Sequence, residues 1–257
     1  MKEVIRTLLP RRARPHRIWR GPLRGRIIVT SWHDYPGAIL GRTELGLVNW
    51  FQGNVNVGET WLDIGAHYGY TAIALAERVG PTGRVFAFEP ALDTAGRLSL
   101  TKSMNRLDWL AVIPLGLASS AGIQLIKVPM VRGMAEYGDS REVSQQVCFV
   151  RFDEIWPSLS NDAPKIHGVK IDVQGAEYDV VMGMRRYLEE YLPTLVVEFH
   201  AGVDRTHFIS FLQSVGYAPD GHGVDGGAPS PRYVDDHSYV FQAGVRPIAD
   251  SPNTIAI

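Results

Sequence analysis

One stretch of sequence decides the fold: Glu59-Thr60-Trp61-Leu62-Asp63-Ile64-Gly65-Ala66-His67-Tyr68-Gly69-Tyr70. A short apolar run with an acid near its end is followed by two glycines four residues apart, which is typical of a β-strand that turns tightly into a helix. A second apolar run, Arg84–Phe88, is followed by Glu89, where an α/β fold places an acid that binds ribose. Together the two segments predict a site for a nucleotide-type cofactor.

From Glu59 onward the chain alternates short apolar runs with helical patterns, which predicts a parallel sheet of about seven strands covered by helices. The strands we expect are Glu59–Ile64, Arg84–Phe88, Leu110–Leu115, Gly168–Ile171 and Leu195–Phe199, with a late pair near Tyr217 and at Ser238–Gln242. The helices we expect are Thr43–Gln52, Tyr70–Val79, Leu92–Met104, Ala176–Glu190 and Asp204–Ser214. Before the sheet, residues 1–26 should be irregular and Arg26–Ser31 extended. We interpret Lys127–Gln146 and Asp220–Pro231 as loops that shape a substrate pocket.

Composition allows one substantial domain, since 45% of the 257 residues are hydrophobic and 21% are charged. The single cysteine, Cys148, excludes an internal disulfide and fits a reducing compartment. No apolar run approaches the ~20 residues of a membrane span, and the first residues lack the apolar core of a secretory signal. We therefore expect a cytoplasmic protein without a membrane span.

Positive charge is concentrated at the N-terminus, where residues 1–30 hold nine Lys or Arg against the single acid Glu3. Such a segment could bind nucleic acid, an anionic lipid surface or an anionic substrate, or it could fold back onto its own domain. We expect it to fold back, so nucleic acid is not an expected partner. The predicted division is a basic arm with a leading strand over residues 1–40, one domain over residues 41–245 and a tail over residues 246–257.

The glycine turn favours one kind of cofactor. Gly65 and Gly69 do not form the G-x-G-x-x-G pattern of a dinucleotide fold, which argues against a pyrophosphate. Asp63 instead favours a ligand with positive charge. S-adenosyl-L-methionine fits, because its amino and sulfonium groups are positive and it carries no phosphate. Glu89 would accept hydrogen bonds from both ribose hydroxyls. The alternative is that the turn simply ends a strand.

Two further strands end in acids at the edge where open α/β sheets bind ligands. Asp172 follows the strand Gly168–Ile171 and should face the reacting end of the cofactor, although it could instead cap the next helix. Glu198 and His200 end the fifth strand and point to the same side by strand alternation. His200 could be a general base, because its ordinary pKa of ~6.5 suits proton removal near neutrality, or it could be a loop histidine held by local contacts. The catalytic candidates are His200 and Asp172.

The same edge offers oxygen and imidazole donors for a divalent metal, at Asp153, Asp172, Glu198 and His200. Their scattered spacing does not form a metal-binding motif. No metal cofactor is therefore predicted, and these four residues stay candidate ligands only.

In its motifs the chain resembles the FkbM-type family of S-adenosylmethionine-dependent methyltransferases. The resemblance covers roughly residues 40–215, and its most specific part is Lys170-Ile171-Asp172-Val173-Gln174-Gly175-Ala176-Glu177. The other matching segments are Asp63–Gly69, Phe86–Pro90, Asn105, Asp153 within Arg151–Ile155, and Glu198–His200. The chain departs from the family in two places, with His67 where Asn is common and Gln174 where Glu is common. The first departure is expected to alter cofactor contacts, and the second removes an acidic group from that position.

The resemblance implies a Rossmann-like, seven-stranded methyltransferase sheet that is mostly parallel, has an antiparallel last strand and carries helices on both faces. The implied cofactor-binding residues are Asp63, Gly65, Ala66, His67, Tyr68, Gly69, Glu89, Pro90, Asn105, Leu117 and Asp172. The first six should hold the methionine portion of S-adenosyl-L-methionine, Glu89 the ribose and Leu117 the adenine, with Asp172 near the methyl group.

The function we expect is O-methylation of a hydroxyl on a small molecule, such as a secondary metabolite or a sugar. One alternative is an N-methyltransferase, or an RNA methyltransferase that uses the basic arm. Another is a catalytically silent protein that binds the cofactor and serves as an assembly partner. The sequence leaves a homodimer, the acceptor and any need for a divalent metal open.

Overall fold

The structure, a computed structural model, describes residues 9–129, 142–159, 164–225 and 233–244. The strands are β1 (Arg14–Arg17), β2 (Ile27–Thr30), β3 (Thr60–Ile64), β4 (Arg84–Phe88), β5 (Leu110–Ile113), β6 (Gly116–Leu117), β7 (Gly122–Pro129), β8 (Glu142–Val150), β9 (Gly168–Ile171), β10 (Thr194–Phe199), β11 (His222–Gly223) and β12 (His237–Phe241). The helices are α1 (Pro36–Leu40), α2 (Leu45–Asn54), α3 (Tyr70–Val79), α4 (Leu92–Asn105), α5 (Phe152–Leu159), α6 (Glu177–Gly183), α7 (Arg185–Tyr191) and α8 (Arg205–Ser214).

The central sheet has seven strands in the order β11-β12-β10-β9-β3-β4-β5. The strands β5, β4, β3, β9 and β10 run parallel, whereas β12 is antiparallel to both of its neighbours. A second sheet of three strands has the order β6-β8-β7, and β1 pairs with β2. The predicted α/β class is therefore confirmed, with a mostly parallel sheet and an antiparallel last strand.

Helices cover both faces of the sheet because successive strand residues point to opposite sides. Trp61 of β3 packs in the core that includes residues of α2, α3 and α4. The next residue, Leu62, packs in the other core, which includes residues of α5, α6, α7 and α8. Burial of apolar side chains on both faces explains why the central strands read as continuous apolar runs.

The parallel register brings four strand ends to one edge of the sheet. Ile64 of β3 lies opposite Phe88 of β4 and Ile171 of β9, and Val197 of β10 lies opposite Ile171. The residue that follows each of them therefore lies at the same edge of the sheet. These residues are Gly65, Glu89, Asp172 and Glu198.

Most predicted elements are found, and three have the predicted bounds: Tyr70–Val79, Arg84–Phe88 and Gly168–Ile171. The single helix predicted over Ala176–Glu190 is wrong, because α6 ends at Gly183 and α7 begins at Arg185. The helix α7 has its own N-terminal cap, since the Asp153 carboxylate accepts the N–H groups of Arg186 and Tyr187.

Three other predictions need correction. The late strand expected near Tyr217 is only a single bridge to Ala243. The strand that pairs with β12 is β11, which lies inside the loop predicted over Asp220–Pro231. The loop predicted over Lys127–Gln146 is wrong at both ends, where β7 and β8 form an antiparallel pair from Gly122 opposite Phe149 onward. Residues 130–141 of that segment and residues 226–231 of the second predicted loop lie outside the described residues.

The described part of the N-terminal segment, from residue 9 onward, packs onto the domain as predicted, but it is less irregular than predicted. The strand β1 pairs with β2, and Ile18 and Ile28 are buried in the same core as α3. The side chain of Asn105 on α4 donates to the carbonyl of Ile27 at 2.6 Å and accepts its N–H at 2.9 Å. Arg26 pairs with Glu77 of α3. The predicted tail, residues 246–257, lies outside the described residues.

No helix within the described part of the chain is both long and apolar enough to span a membrane.

Candidate active site

A cavity of about 560 Å³ opens at the edge where the four parallel strands end. This volume is typical of sites that hold a small ligand. One wall comes from the turn after β3 and the residues that follow β4, and another from Asp172, Gln174 and Glu198 after β9 and in β10. Residues of the β7–β8 pair close a third side. The cavity therefore lies where the sequence places the cofactor.

The turn after β3 brings backbone close to the cavity. Gly65 has a φ of 79°, and a Cβ atom there would overlap the carbonyl oxygen of Asp172. Gly65, Ala66 and His67 line the cavity, whereas Tyr68 and Gly69 are outside its lining. Gly69, with a φ of 93°, begins α3 and packs against Leu98. The first glycine is thus needed for the close approach of the turn to the backbone of Asp172, and the second for packing of the helix.

Glu89 is held by the backbone of two neighbouring loops. Its Oε2 accepts the N–H of His67 at 2.9 Å, and its Oε1 accepts the N–H of Ala91 at 3.0 Å. Burial raises the pKa of Glu89 to about 7, although these two hydrogen bonds act in the opposite direction. Each carboxylate oxygen keeps a second lone pair for a ligand. Glu89 and Pro90 both line the cavity, in the position expected for a ribose-binding acid.

A buried lysine, which sequence reasoning missed, joins the ends of β3 and β9. Lys170 Nζ lies 3.2 Å from Asp63 Oδ1 and 3.3 Å from Asp172 Oδ2. Burial acts to lower the pKa of Lys170, but the charges of Asp63 and Asp172 outweigh it and raise the pKa. Asp63 is fully buried, accepts a hydrogen bond from Thr71 at 2.7 Å and is outside the cavity lining. It supports the turn rather than facing a ligand, in contrast to the role implied for it.

His200 lies behind the cavity wall with both ring nitrogens engaged. Its Nδ1 is 2.8 Å from Glu177 Oε1, and its Nε2 is 2.8 Å from the amide nitrogen of Gln174. Burial acts to lower the pKa of His200, but the hydrogen bond to Glu177 and the charges of Asp172 and Glu198 raise it. His200 is only 7% exposed and does not belong to the cavity lining. The structure therefore does not bring it to the position that a general base needs.

Two carboxylates do face the cavity at this end. Asp172 and Glu198 both line it, and Ser238 donates a hydrogen bond to Glu198 Oε2 at 3.2 Å. Burial raises the pKa of Glu198 to about 7, with further contributions from the charges of Asp172 and Glu44. Burial also acts to raise the pKa of Asp172, but Lys170 and His200 lower it. This end of the cavity is therefore rich in negative charge.

Three of the four candidate metal ligands come together. One donor atom each from Asp172, Glu198 and His200 lies within 4.8 Å of the others. The fourth, Asp153, is elsewhere, because its carboxylate caps α7 through the N–H groups of Arg186 and Tyr187.

Two predicted cofactor residues outside these motifs have different positions. Leu117 lines the cavity, as an adenine contact requires. Asn105 does not, because its side-chain amide is bonded to the backbone of Ile27 and Thr101. Asn105 is thus placed to fix the N-terminal segment rather than to bind a cofactor.

The segment before β3 contributes a wall that sequence reasoning missed. Tyr35, Thr43 and Glu44 line the cavity. Glu44, His67 and Gln174 each have a positive φ, of 50°, 50° and 56°, and all three line the cavity. Such strained backbone at non-glycine residues is typical of functional sites. No motif marks this wall, because its position depends on packing between distant parts of the chain.

The structure has the features of the Rossmann-like class of folds that bind nucleotide-type cofactors. These features are the strand order, the glycine turn after β3, the acid after β4 and the cavity at the carboxyl edge of the sheet. Within that class, the chain belongs to the Methyltransferase FkbM domain family, which matches residues 63–219. The resemblance found in the motifs is therefore confirmed.

A curated relative is the hexuronic acid methyltransferase AglP of Haloferax volcanii, which is 35% identical over 144 residues. The match covers 55% of this chain and 56% of AglP, so the chain spans little more than half the length of the curated relative. Methyltransferase FkbM from Methylobacillus flagellatus is a similar solved structure, with 20% identity, a TM-score of 0.48 and coverage of 71% of this chain and 43% of that one. Another similar solved structure is fibrillarin from Aeropyrum pernix, solved with natively bound S-adenosyl-L-methionine. It has 17% identity and a TM-score of 0.48, and the match covers 91% of this chain and 89% of fibrillarin.

Proposed function

We propose that this protein is an S-adenosylmethionine-dependent O-methyltransferase that acts on a hydroxyl of a small, sugar-like molecule. The observation that carries this proposal is one cavity in which Glu89 lies on the cofactor side and Asp172 and Glu198 lie where the reacting end would be. Membership of the FkbM methyltransferase family supports the reaction type. The name of AglP, a hexuronic acid methyltransferase, supports an acceptor of the sugar class.

The residues present fit S-adenosyl-L-methionine. Glu89 has lone pairs for two ribose hydroxyls, and Gly65, which has no side chain, lines the same cavity. Leu117 offers an apolar contact for the adenine. The acids at the other end suit a ligand with positive charge. When bound, this cofactor supplies the reactive methyl group, so the protein mainly has to align donor and acceptor.

The acceptor end is polar and has contributions from distant parts of the chain. Tyr35, Thr43 and Glu44 come from the segment before β3, and Asp172 and Glu198 come from the sheet edge. Hydroxyl and carboxylate groups of this kind accept hydrogen bonds from the hydroxyls of a sugar and orient one of them toward the methyl group. Asp172 and Glu198 are also within the cavity to accept the proton that the attacking hydroxyl loses.

The test is methyl transfer to a panel of acceptors. Purified protein is incubated with S-adenosyl-L-methionine and with a hexose, a hexuronic acid or an amino sugar, and products are detected by mass spectrometry. We expect a gain of one methyl group on a sugar-type acceptor, at an oxygen by carbon NMR. Glu89→Ala should abolish the product, whereas Asp179→Asn, in an acid that lines the same cavity and pairs with Ser119, should retain it. A methyl group found on nitrogen would contradict the proposal.

The RNA alternative has less support from the structure. The described part of the basic arm packs on the domain through β1 and β2, and Arg26 is paired with Glu77. An arm that binds phosphates would give a steep dependence of RNA affinity on salt, and removal of residues 1–20 would abolish it. If the protein is instead a catalytically silent assembly partner, it should bind the cofactor without methyl transfer to any acceptor of the panel.

A further inference from the structure

A group of potential metal ligands lies at the acidic end of the cavity. His200 Nε2 is 3.4 Å from Asp172 Oδ1 and 3.6 Å from Glu198 Oε1. Donor atoms that share one ion at ~2.0–2.2 Å are about 3 Å apart at right angles and further apart at wider angles. The three donors therefore already have nearly the spacing of neighbouring ligands around an ion.

The support of His200 is a second, independent observation. Its Nδ1 contacts Glu177 Oε1 at 2.8 Å, and the same oxygen accepts the N–H of Gly175. Glu177 is fully buried, and its Oε2 has no hydrogen-bond partner among the described residues. A carboxylate that holds Nδ1–H fixes the tautomer whose Nε2 can bind a metal, and metal-ligating histidines commonly have such a partner.

Charge balance favours a cation at the same place. Lys170 is the one Lys or Arg among the described residues that line the cavity, and it contacts Oδ2 of Asp172 and the carboxylate of Asp63. The Oδ1 atom of Asp172 is left facing His200. Glu44 and Glu198 add further carboxyl groups to the cavity wall. A divalent cation bound by these groups would balance their charge in place of a proton on Glu198 or His200.

Gln174 places a hydrogen-bond donor between the same atoms. Its amide nitrogen lies 2.8 Å from His200 Nε2 and 3.3 Å from Asp172 Oδ1. A group with partial positive charge thus contacts the two atoms that would bind an ion. Rotation of this amide would present its oxygen instead, which is itself a ligand for hard cations.

We propose that Asp172, Glu198 and His200 form a binding site for one divalent cation of the Mg²⁺ or Mn²⁺ type, with open positions toward the cavity. Two carboxylates and an imidazole suit such an ion. The proposal that the ion binds here is argued from the geometry of these three residues alone. The further proposal that the bound ion holds an acceptor hydroxyl rests on the proposed function.

The test is a titration of the full chain with Mn²⁺, with and without S-adenosylhomocysteine. Binding of Mn²⁺ is monitored by electron paramagnetic resonance. We expect one site, and we expect its affinity to fall at least about tenfold in Glu198→Gln and in Asp172→Asn, since each loses a ligand. The affinity for Mn²⁺ should also fall, by ~10- to 100-fold, in Glu177→Gln, because this substitution changes the hydrogen bond that holds His200. Asp179→Asn is the matched control, because it removes an acid from the same cavity outside the group.

Each variant is also measured for thermal melting and for S-adenosylhomocysteine affinity. Asp172→Asn also disturbs the ion pair with Lys170. If this variant fails to fold, the affinity of Glu198→Gln for Mn²⁺ decides the test. A protein that binds S-adenosylhomocysteine but not Mn²⁺ would overturn the metal site and leave the proposed cofactor intact. Mn²⁺ binding that Glu198→Gln leaves unchanged would also overturn it.

Discussion

Replacement of Glu89 by Gln should weaken the pH dependence of cofactor binding. In the wild type, burial raises the pKa of Glu89 to about 7, and only the ionised form offers both oxygens as acceptors to the ribose. Cofactor affinity should therefore rise with pH, and the Kd for S-adenosylhomocysteine should be about tenfold lower at about pH 8 than at about pH 6. Loss of a charged hydrogen-bond acceptor costs about 1.5–3 kcal/mol, so Glu89→Gln should weaken binding roughly 10- to 100-fold at the higher pH.

The same substitution should alter the pH dependence of stability in the opposite direction. A carboxyl group whose pKa rises from 4.5 to about 7 on folding binds more protons in the folded state, so its contribution to stability decreases as pH rises through this range. The loss amounts to about 3 kcal/mol above pH ~7. Glu89→Gln removes this loss, but its single amide oxygen can accept only one of the N–H groups of His67 and Ala91, which costs about 1–3 kcal/mol.

Isothermal titration calorimetry with S-adenosylhomocysteine and urea denaturation, each at the two pH values, would check these expectations. Asp179→Asn serves as the control, because it removes an acid from the same cavity and should leave the pH dependence of binding unchanged. The reasoning would be refuted if wild-type affinity were equal at both pH values and Glu89→Gln bound as tightly as the wild type.

Three further substitutions test other parts of the structure. Lys170→Met leaves the buried carboxylates of Asp63 and Asp172 without their cation, and should lower the free energy of unfolding by about 3–5 kcal/mol in urea denaturation; an unchanged midpoint would show that the lysine is not needed there. Asn105→Ala should lower stability by about 1–3 kcal/mol through lost contacts with the N-terminal segment while calorimetry finds the same cofactor affinity, and a large loss of affinity would restore it as a cofactor ligand. Gly65→Ala introduces a Cβ against the backbone at positive φ, so thermal melting should show a lower midpoint and calorimetry weaker cofactor binding.

The sheet and the cofactor end of the site could be predicted because local patterns encode them. The apolar runs before Gly65, Glu89 and Asp172 end at one edge in any parallel sheet of this kind, so their order along the chain was sufficient. The chemistry of a ribose-binding acid could likewise be inferred from Glu89 alone. These predictions needed no knowledge of packing between distant segments.

The remaining features depend on contacts between distant residues and could not be predicted. Glu44 reaches the cavity only because the N-terminal segment packs beside the sheet. The sequence left His200 open as a general base or as a histidine held by local contacts, and the structure shows it engaged by Glu177 and Gln174, which follow β9. The strands β7 and β8 were both missed, because a segment rich in glycine and charge separates them along the chain.

A crystal structure with S-adenosylhomocysteine would test the central claim most directly. The account predicts the ribose hydroxyls on Glu89, the adenine beside Leu117, and the sulfur atom turned toward Asp172 and Glu198. A ligand bound elsewhere, or with its sulfur turned away from these two acids, would contradict the assignment of the cavity and the proposed reaction with it.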